Sequence, residues 1–181
     1  MKINEASKLK SARAIALVGI MTASLTCGKL ALSFLPNIEV VTLLTALYGY
    51  VFGVYGIVAS ALFVCIEPLI YGFGSWILTY FLYWPFVSFA FMMLRSVGVR
   101  KRLPLTACAL ALTLWFGILS SVVETALYLG INEYFFKNLC LYYIRGAVFY
   151  ALQLASNLAL FPTLFVYLSA RLEEIRQRFD I

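Results

Sequence analysis

The sequence predicts an all-α membrane protein, with about six transmembrane helices in one compact bundle and both termini on the cytoplasmic side. Three observations lead there. Of the 181 residues, 64% are hydrophobic and only 12% charged, and the mean hydropathy is +0.94, whereas a soluble domain is about half apolar and a quarter charged. Each spanning helix needs roughly 20 mostly apolar residues, so the length accommodates about six spans with short loops and leaves no room for a second, soluble domain. The basic residues gather in three clusters between the apolar runs: Lys2, Lys8, Lys10 and Arg13; Arg95, Arg100, Lys101 and Arg102; and Arg171, Arg176 and Arg178. Such clusters mark cytoplasmic ends and loops. The net charge of +6 thus reflects topology, with anionic lipid headgroups as its counter-charge, and argues against nucleic acid as a partner. The chain reads as a single domain over 1–181.

Each element has its own signals. The first span is expected over about 11–34, ending at the turn-forming pair Pro36-Asn37 on the outer side. Its basic start and apolar run superficially match a signal peptide, but no small-residue cleavage site follows and the run is long enough to remain a span. A short second span over 40–52 leads into a tight inner turn, where Gly49, Gly53 and Gly56 permit close backbone packing. The third span rises over 54–70. Residues 71–75 form an outer loop, and the fourth span descends over 76–94 with Trp76, Tyr80, Tyr83 and Trp84 along it. Pro104 begins a fifth span that rises to about Gly130. An outer loop over 132–138 precedes a long sixth span over 139–170.

Outside the three clusters only Lys29, Lys137 and Arg145 are basic, and the expected topology puts all three in the outer half together with Glu39, Glu67, Glu124 and Glu133. Ionisable groups within apolar spans cost about 2.5–3.5 kcal/mol on insertion scales and usually face a bundle interior or a water-filled cavity. The polar chemistry therefore points to a cavity open to the outside. In the sixth span Arg145, Phe149, Gln153 and Asn157 recur every four residues and share one stripe. That stripe reads either as a ladder for a polar ligand or, most plainly for Asn157, as interhelical hydrogen bonding. Glu67 or Glu124 could contact ligand or could pair with Arg145. Trp76, Tyr80 and Trp84 share a face suited to stacking, with an interfacial aromatic belt as the plainer reading. The candidate substrate contacts are Glu39, Glu67, Trp76, Tyr80, Glu124, Arg145, Gln153 and Asn157, and the loop 36–40 is expected to gate them.

Catalytic chemistry finds no support. Cys27, Cys65, Cys108 and Cys140 are scattered and the chain has no His, so metal-ligand spacing is absent. Gly28-Lys29 ends like a phosphate-binding loop, but Ala23 and Leu30 stand where Gly and Ser or Thr are required. Glu173-Glu174 with Arg178 imitates half of an intramembrane protease motif without the His to complete it, and a serine hydrolase lacks both its base and its G-x-S-x-G turn. The expectation is a protein without catalytic residues, metal or cofactor, and without an ATPase of its own.

Taken together, the Ala12-x-x-x-Ala16 and Gly19-x-x-x-Ala23 spacings, the Pro36-Asn37-Ile38-Glu39 loop, the Gly53-x-x-Gly56 turn, Arg145-Gly146 and Ser156-Asn157, in this order over the whole chain, resemble the S-components of energy-coupling factor (ECF) transporters. The resemblance implies a multi-pass subunit of a prokaryotic cell membrane that captures a water-soluble vitamin or related micronutrient and topples to release it inside. It also implies partners: a transmembrane coupling subunit and two cytoplasmic ATPases. Ala12, Ala16, Gly19 and Ala23, near one face of the first helix, would then form the docking face for the coupling subunit, although a place inside the bundle is equally compatible with the spacing. Mixed charge and many aromatic residues favour a planar or heteroaromatic vitamin, with cobalamin, pantothenate and a queuosine precursor also open. Two other classes remain: a solitary proton-coupled carrier using Glu67 or Glu124, and a nontransporting membrane assembly protein.

Overall fold

The computed structural model describes residues 2–35, 38 and 40–179, with side chains within 12–178. The elements are α1 (Lys2–Ala31), α2 (Val41–Phe52), α3 (Val54–Tyr71), α4 (Trp76–Ser96), α5 (Arg102–Leu129), α6 (Phe135–Leu160), a π-helical turn (Phe161–Phe165) and α7 (Val166–Phe179). No strand occurs among the described residues. Five stretches, Ala12–Ala31, Val54–Tyr71, Trp76–Ser96, Arg102–Leu129 and Phe135–Arg178, are long and apolar enough to cross a membrane. Their outward faces are apolar, with Ile15, Ile20, Leu69, Val97, Leu103 and Val148 all well exposed, whereas Glu67, Ser60, Ser88, Gln153 and Asn157 are buried. A protein folded against water has the opposite preference. The arrangement suggests a multi-pass membrane protein.

The expected second span is corrected. α2 has 12 residues, a length of about 18 Å at 1.5 Å per residue, short of the roughly 30 Å hydrocarbon core. It does not need that length, because every α2 residue except Leu44 is buried by its neighbours. Helices α3 and α4, with α7 and α1, wrap it. Phe63, Val64, Tyr83, Val87, Phe91, Phe161 and Phe165 complete a core with α2 in its middle.

Close approach holds that core together. A Cβ on Gly49 would lie 2.0 Å from the Ser88 carbonyl oxygen of α4, and one on Gly56 would lie 2.4 Å from the Tyr48 carbonyl carbon of α2. Between α2 and α3, Gly53 turns the chain at φ +59°, a conformation glycine adopts without penalty. Hydroxyls complete the contact: Ser88 Oγ donates to the Thr45 carbonyl at 2.9 Å, and Ser60 and Ser88 share a hydrogen bond of 2.7 Å. Within lipid, where apolar burial between helices gains little, small-residue packing and such bonds supply the association.

Two other boundaries differ from expectation. The loop expected over 132–138 is shorter, because Asn132 organises the turn: its Oδ1 accepts from the Tyr134 amide and its carbonyl from the Phe135 amide, at 2.9 and 3.0 Å, so that α6 starts at Phe135. At its far end the last helix runs on through the π turn to Phe179. Pro162 lies at the start of that turn and contributes no N–H; one residue later the Thr163 hydroxyl bonds the Ala159 carbonyl at 2.6 Å. Local widening of this kind keeps a proline-bearing helix continuous. Arg95 of α4 reaches Glu173 of α7 at 3.4 Å, so the second and third basic clusters meet.

Gly49→Ala should destabilise the purified protein by about 2 kcal/mol, the middle of the range for overpacking, which lowers the Tm by roughly 4–8 °C for a chain of this size. A Cβ on Gly19 meets nothing within 4 Å, so Gly19→Ala should not lower the Tm. Equal melting of the two variants in detergent would contradict the assigned contact.

Candidate functional site

Three helix ends converge on one cation. Lys29 lies in the last turn of α1, Glu67 one turn before the end of α3, and Trp76, Tyr80 and Trp84 at successive turns of α4. Gly72 stops α3 at φ +80°, and the Trp76 indole folds back over Gly74, where a Cβ would meet its Nε1 at 2.6 Å. Lys29 Nζ pairs with Glu67 Oε2, whose side chain is wholly buried while that of Lys29 is 25% exposed. Four rings surround the ammonium, with centroids at 4.5 Å (Tyr71), 4.9 Å (Tyr80), 5.7 Å (Trp76) and 6.0 Å (Phe63). Glu67 Oε1 is buried and has no hydrogen-bond partner among the described residues.

Beside this pair lies a cavity of about 310 Å³ lined from every side of the bundle: by Lys29, Leu32, Ser33, Leu35 and Ile38 at and after the end of α1, Val41 of α2, Tyr71 of α3, Tyr80 and Trp84 of α4, Phe116 of α5 and Gln153 of α6. Its aromatic wall is pre-ordered. Tyr80 packs edge-on against Trp76 at 5.0 Å and against Trp84 at 5.6 Å, and Phe116 stands 6.3 Å from both Tyr80 and Trp84. A flat ring entering this space would meet π faces on one side, with Gln153 and Lys29 as polar groups at its rim. A second cavity of about 420 Å³ lies at the other end of α4, lined by Tyr50, Arg95, Arg100, Ser169 and Glu173 among others. There Glu173 bonds both Arg95 and Arg176, at 3.4 and 3.5 Å, and the Arg95 guanidinium lies over the Tyr50 ring. Although larger, it lacks the aromatic wall, so the first cavity is the better ligand site.

No family model, curated protein or solved structure matches the chain. The site is therefore read from its chemistry alone.

The structure brings together Glu67, Trp76, Tyr80 and Gln153, with Trp84 beside them. It separates the others. Glu124 accepts from Ser75 Oγ at 2.5 Å, and Tyr128 reaches the same hydroxyl at 3.4 Å, so Glu124 ties α5 to the start of α4. Asn157 donates to Thr113 Oγ1 at 3.0 Å and is fully buried between α5 and α6; it links helices and does not line the cavity. Arg145 is exposed, with its guanidinium 5.8 Å from the Tyr142 ring centroid. The expected pairing of Arg145 with Glu67 or Glu124 is thus overturned among the described residues. The reason is that α6 packs chiefly on α5, so the Arg145–Asn157 stripe is buried only at Gln153 and Asn157. Glu39, with Pro36 and Asn37 of the expected gate, lies outside the described residues. Ala12, Ala16, Gly19 and Ala23 are all exposed on α1.

Lys29, Tyr71 and Phe63 were not among the expected contacts. One signal was present: Phe63, Glu67 and Tyr71 are spaced by four and share a face of α3, and Lys29 is a lone cation in an apolar run.

Removing one partner of a buried pair leaves the other uncompensated, at a cost of 3–5 kcal/mol. With Lys29 still a quarter exposed, Lys29→Met should cost about 3 kcal/mol, the low end of that range. Adding Glu67→Gln should recover most of the loss. A double variant no more stable than Lys29→Met, by thermal melting in detergent, would show that the two groups are not coupled.

Proposed function

We propose that this chain is the substrate-capture subunit, or S-component, of an ATP-driven ECF uptake transporter, taking up a water-soluble vitamin or related micronutrient from outside the cell. The observation that carries the reading is the cavity bounded by all six main helices, with stacking rings and polar rim groups of the kind that orient a small heteroaromatic molecule. In this reading the cavity faces the outside and the joined basic clusters face the cytoplasm, as the positive-inside rule requires. A volume of about 310 Å³ lies at the low end of ligand pockets, which span roughly 300–1,000 Å³. It suits one or two fused rings with short substituents and is too small for a corrinoid. The chain carries no nucleotide-binding motif, so the energy comes from two partner ATPases through a membrane coupling subunit.

The exposed small residues of α1 supply the docking face for that subunit. With Ala12, Ala16, Gly19 and Ala23 unobstructed, a partner helix can approach to backbone distance, and such packing drives association in lipid.

Mass spectrometry of the gently purified protein should identify a bound small molecule, and Tyr80→Ala or Gln153→Ala should weaken its binding by tenfold or more. Ala16→Trp should abolish assembly with the coupling subunit and uptake, with ligand affinity unchanged. Proton-coupled uptake by the chain alone, without ATPase subunits, would contradict the proposal.

A further inference from the structure

We infer that the aromatic cage around Lys29 is a receptor for the cationic group of the ligand, and that the Lys29 ammonium occupies it as a tethered surrogate. The inference rests on the capture reading above and deepens it by naming the chemical class of the substrate: a planar organic cation with N–H donors, such as an amidinium or a protonated aminoheterocycle.

An ion pair that only stabilises the bundle needs a partner for each charge. This one has four rings around the ammonium within 6.0 Å and a carboxylate beneath it with no exposure to solvent. Rings stacked about a cation are the way proteins hold ammonium-type ligands. The same environment rejects the opposite charge. An anion approaching Lys29 would meet the negative faces of Tyr71 and Tyr80 and the Glu67 carboxylate behind them.

Lysine leaves the receptor incompletely used. Among the described residues Glu67 Oε1 is buried without a hydrogen-bond partner, whereas a planar cation with two parallel N–H groups would engage both carboxylate oxygens, the bidentate geometry of guanidinium and amidinium groups. Displacement is also sterically open. Lys29 stands in the last turn of α1, its side chain 25% exposed, and its flexible stem can carry the ammonium outward to water. Because the cage and the 310 Å³ cavity share Lys29, Tyr71 and Tyr80, a ligand body stacked on Tyr80 and Trp84 would place its charged edge where the ammonium now sits. One carboxylate cannot neutralise two cations, so binding and lysine release occur together.

The test uses the full chain in lipid nanodiscs and three isosteric probes: benzamidinium, neutral benzamide and anionic benzoate. Calorimetric titration should show the native protein preferring benzamidinium. Lys29→Met should bind it at least tenfold more tightly than native, since the internal competitor is gone, and Glu67→Gln at least tenfold more weakly. A Lys29→Met affinity equal to or below native, or a native preference for benzoate, would overturn the inference. If Lys29→Met does not fold, the native protein still decides: reductive dimethylation of Lys29, read by mass spectrometry, should quicken at saturating benzamidinium, and an unchanged or slower rate refutes displacement. A retained micronutrient without positive charge, bound in the cavity, would refute the cation assignment and leave the capture reading standing. Absence of any cavity ligand would count against capture itself, and the probe titrations would still decide the cage.

Discussion

The approach of α2 to α3 and α4 at Gly49 and Gly56 fixes the rest of the bundle. At those two points backbone meets backbone with no room for a Cβ, so the helices cannot be drawn apart by larger side chains or shifted along one another without collision. The Ser88 and Ser60 hydroxyls lock the register. From this contact α3 and α4 run to the opposite end of the fold, where α3 delivers Glu67 and α4 its Trp76–Tyr80–Trp84 wall. A cavity lined by side chains from six helices needs such a fixed frame, because a ligand site loosened by an ångström loses its complementarity.

The solvent sets the second constraint. In a hydrocarbon surrounding, outward faces can be apolar without penalty, and polar groups must find partners inside. Asn157 does so with Thr113, Glu124 with Ser75, and Ser60 with Ser88. Lys29 and Glu67 form the charged instance, in which the rings supply part of the stabilisation that water would otherwise give the ammonium. The pair is costly to bury, and its position on the wall of a cavity gives that cost a functional context.

What the sequence disclosed was local. Apolar run length announced the spanning helices, and the four-residue spacing of Trp76, Tyr80 and Trp84 announced a shared face because it lies within one helix. The Gly49, Gly53 and Gly56 turn was equally plain. What stayed hidden depended on which helices are neighbours. Lys29 and Glu67 are 38 residues apart, and nothing in either segment names the other; Arg145, lying on a stripe that ends in buried residues, looked the more natural partner for Glu67. It fails because α6 packs chiefly on α5 and leaves Arg145 exposed. The burial of α2 was likewise not apparent, since an apolar run of 12 residues reads alike as a short span or as a core helix shielded by its neighbours.

The central claim is that a small molecule sits in the cavity between the α4 aromatic wall and Gln153. An experimental structure of the protein purified with its retained ligand tests this most directly. The account predicts ligand density stacked on Tyr80 and Trp84, within hydrogen-bond reach of Gln153 and with one edge against Glu67. Ligand density confined to the Arg95–Glu173 end of the bundle, with this cavity collapsed or filled by lipid, would contradict it.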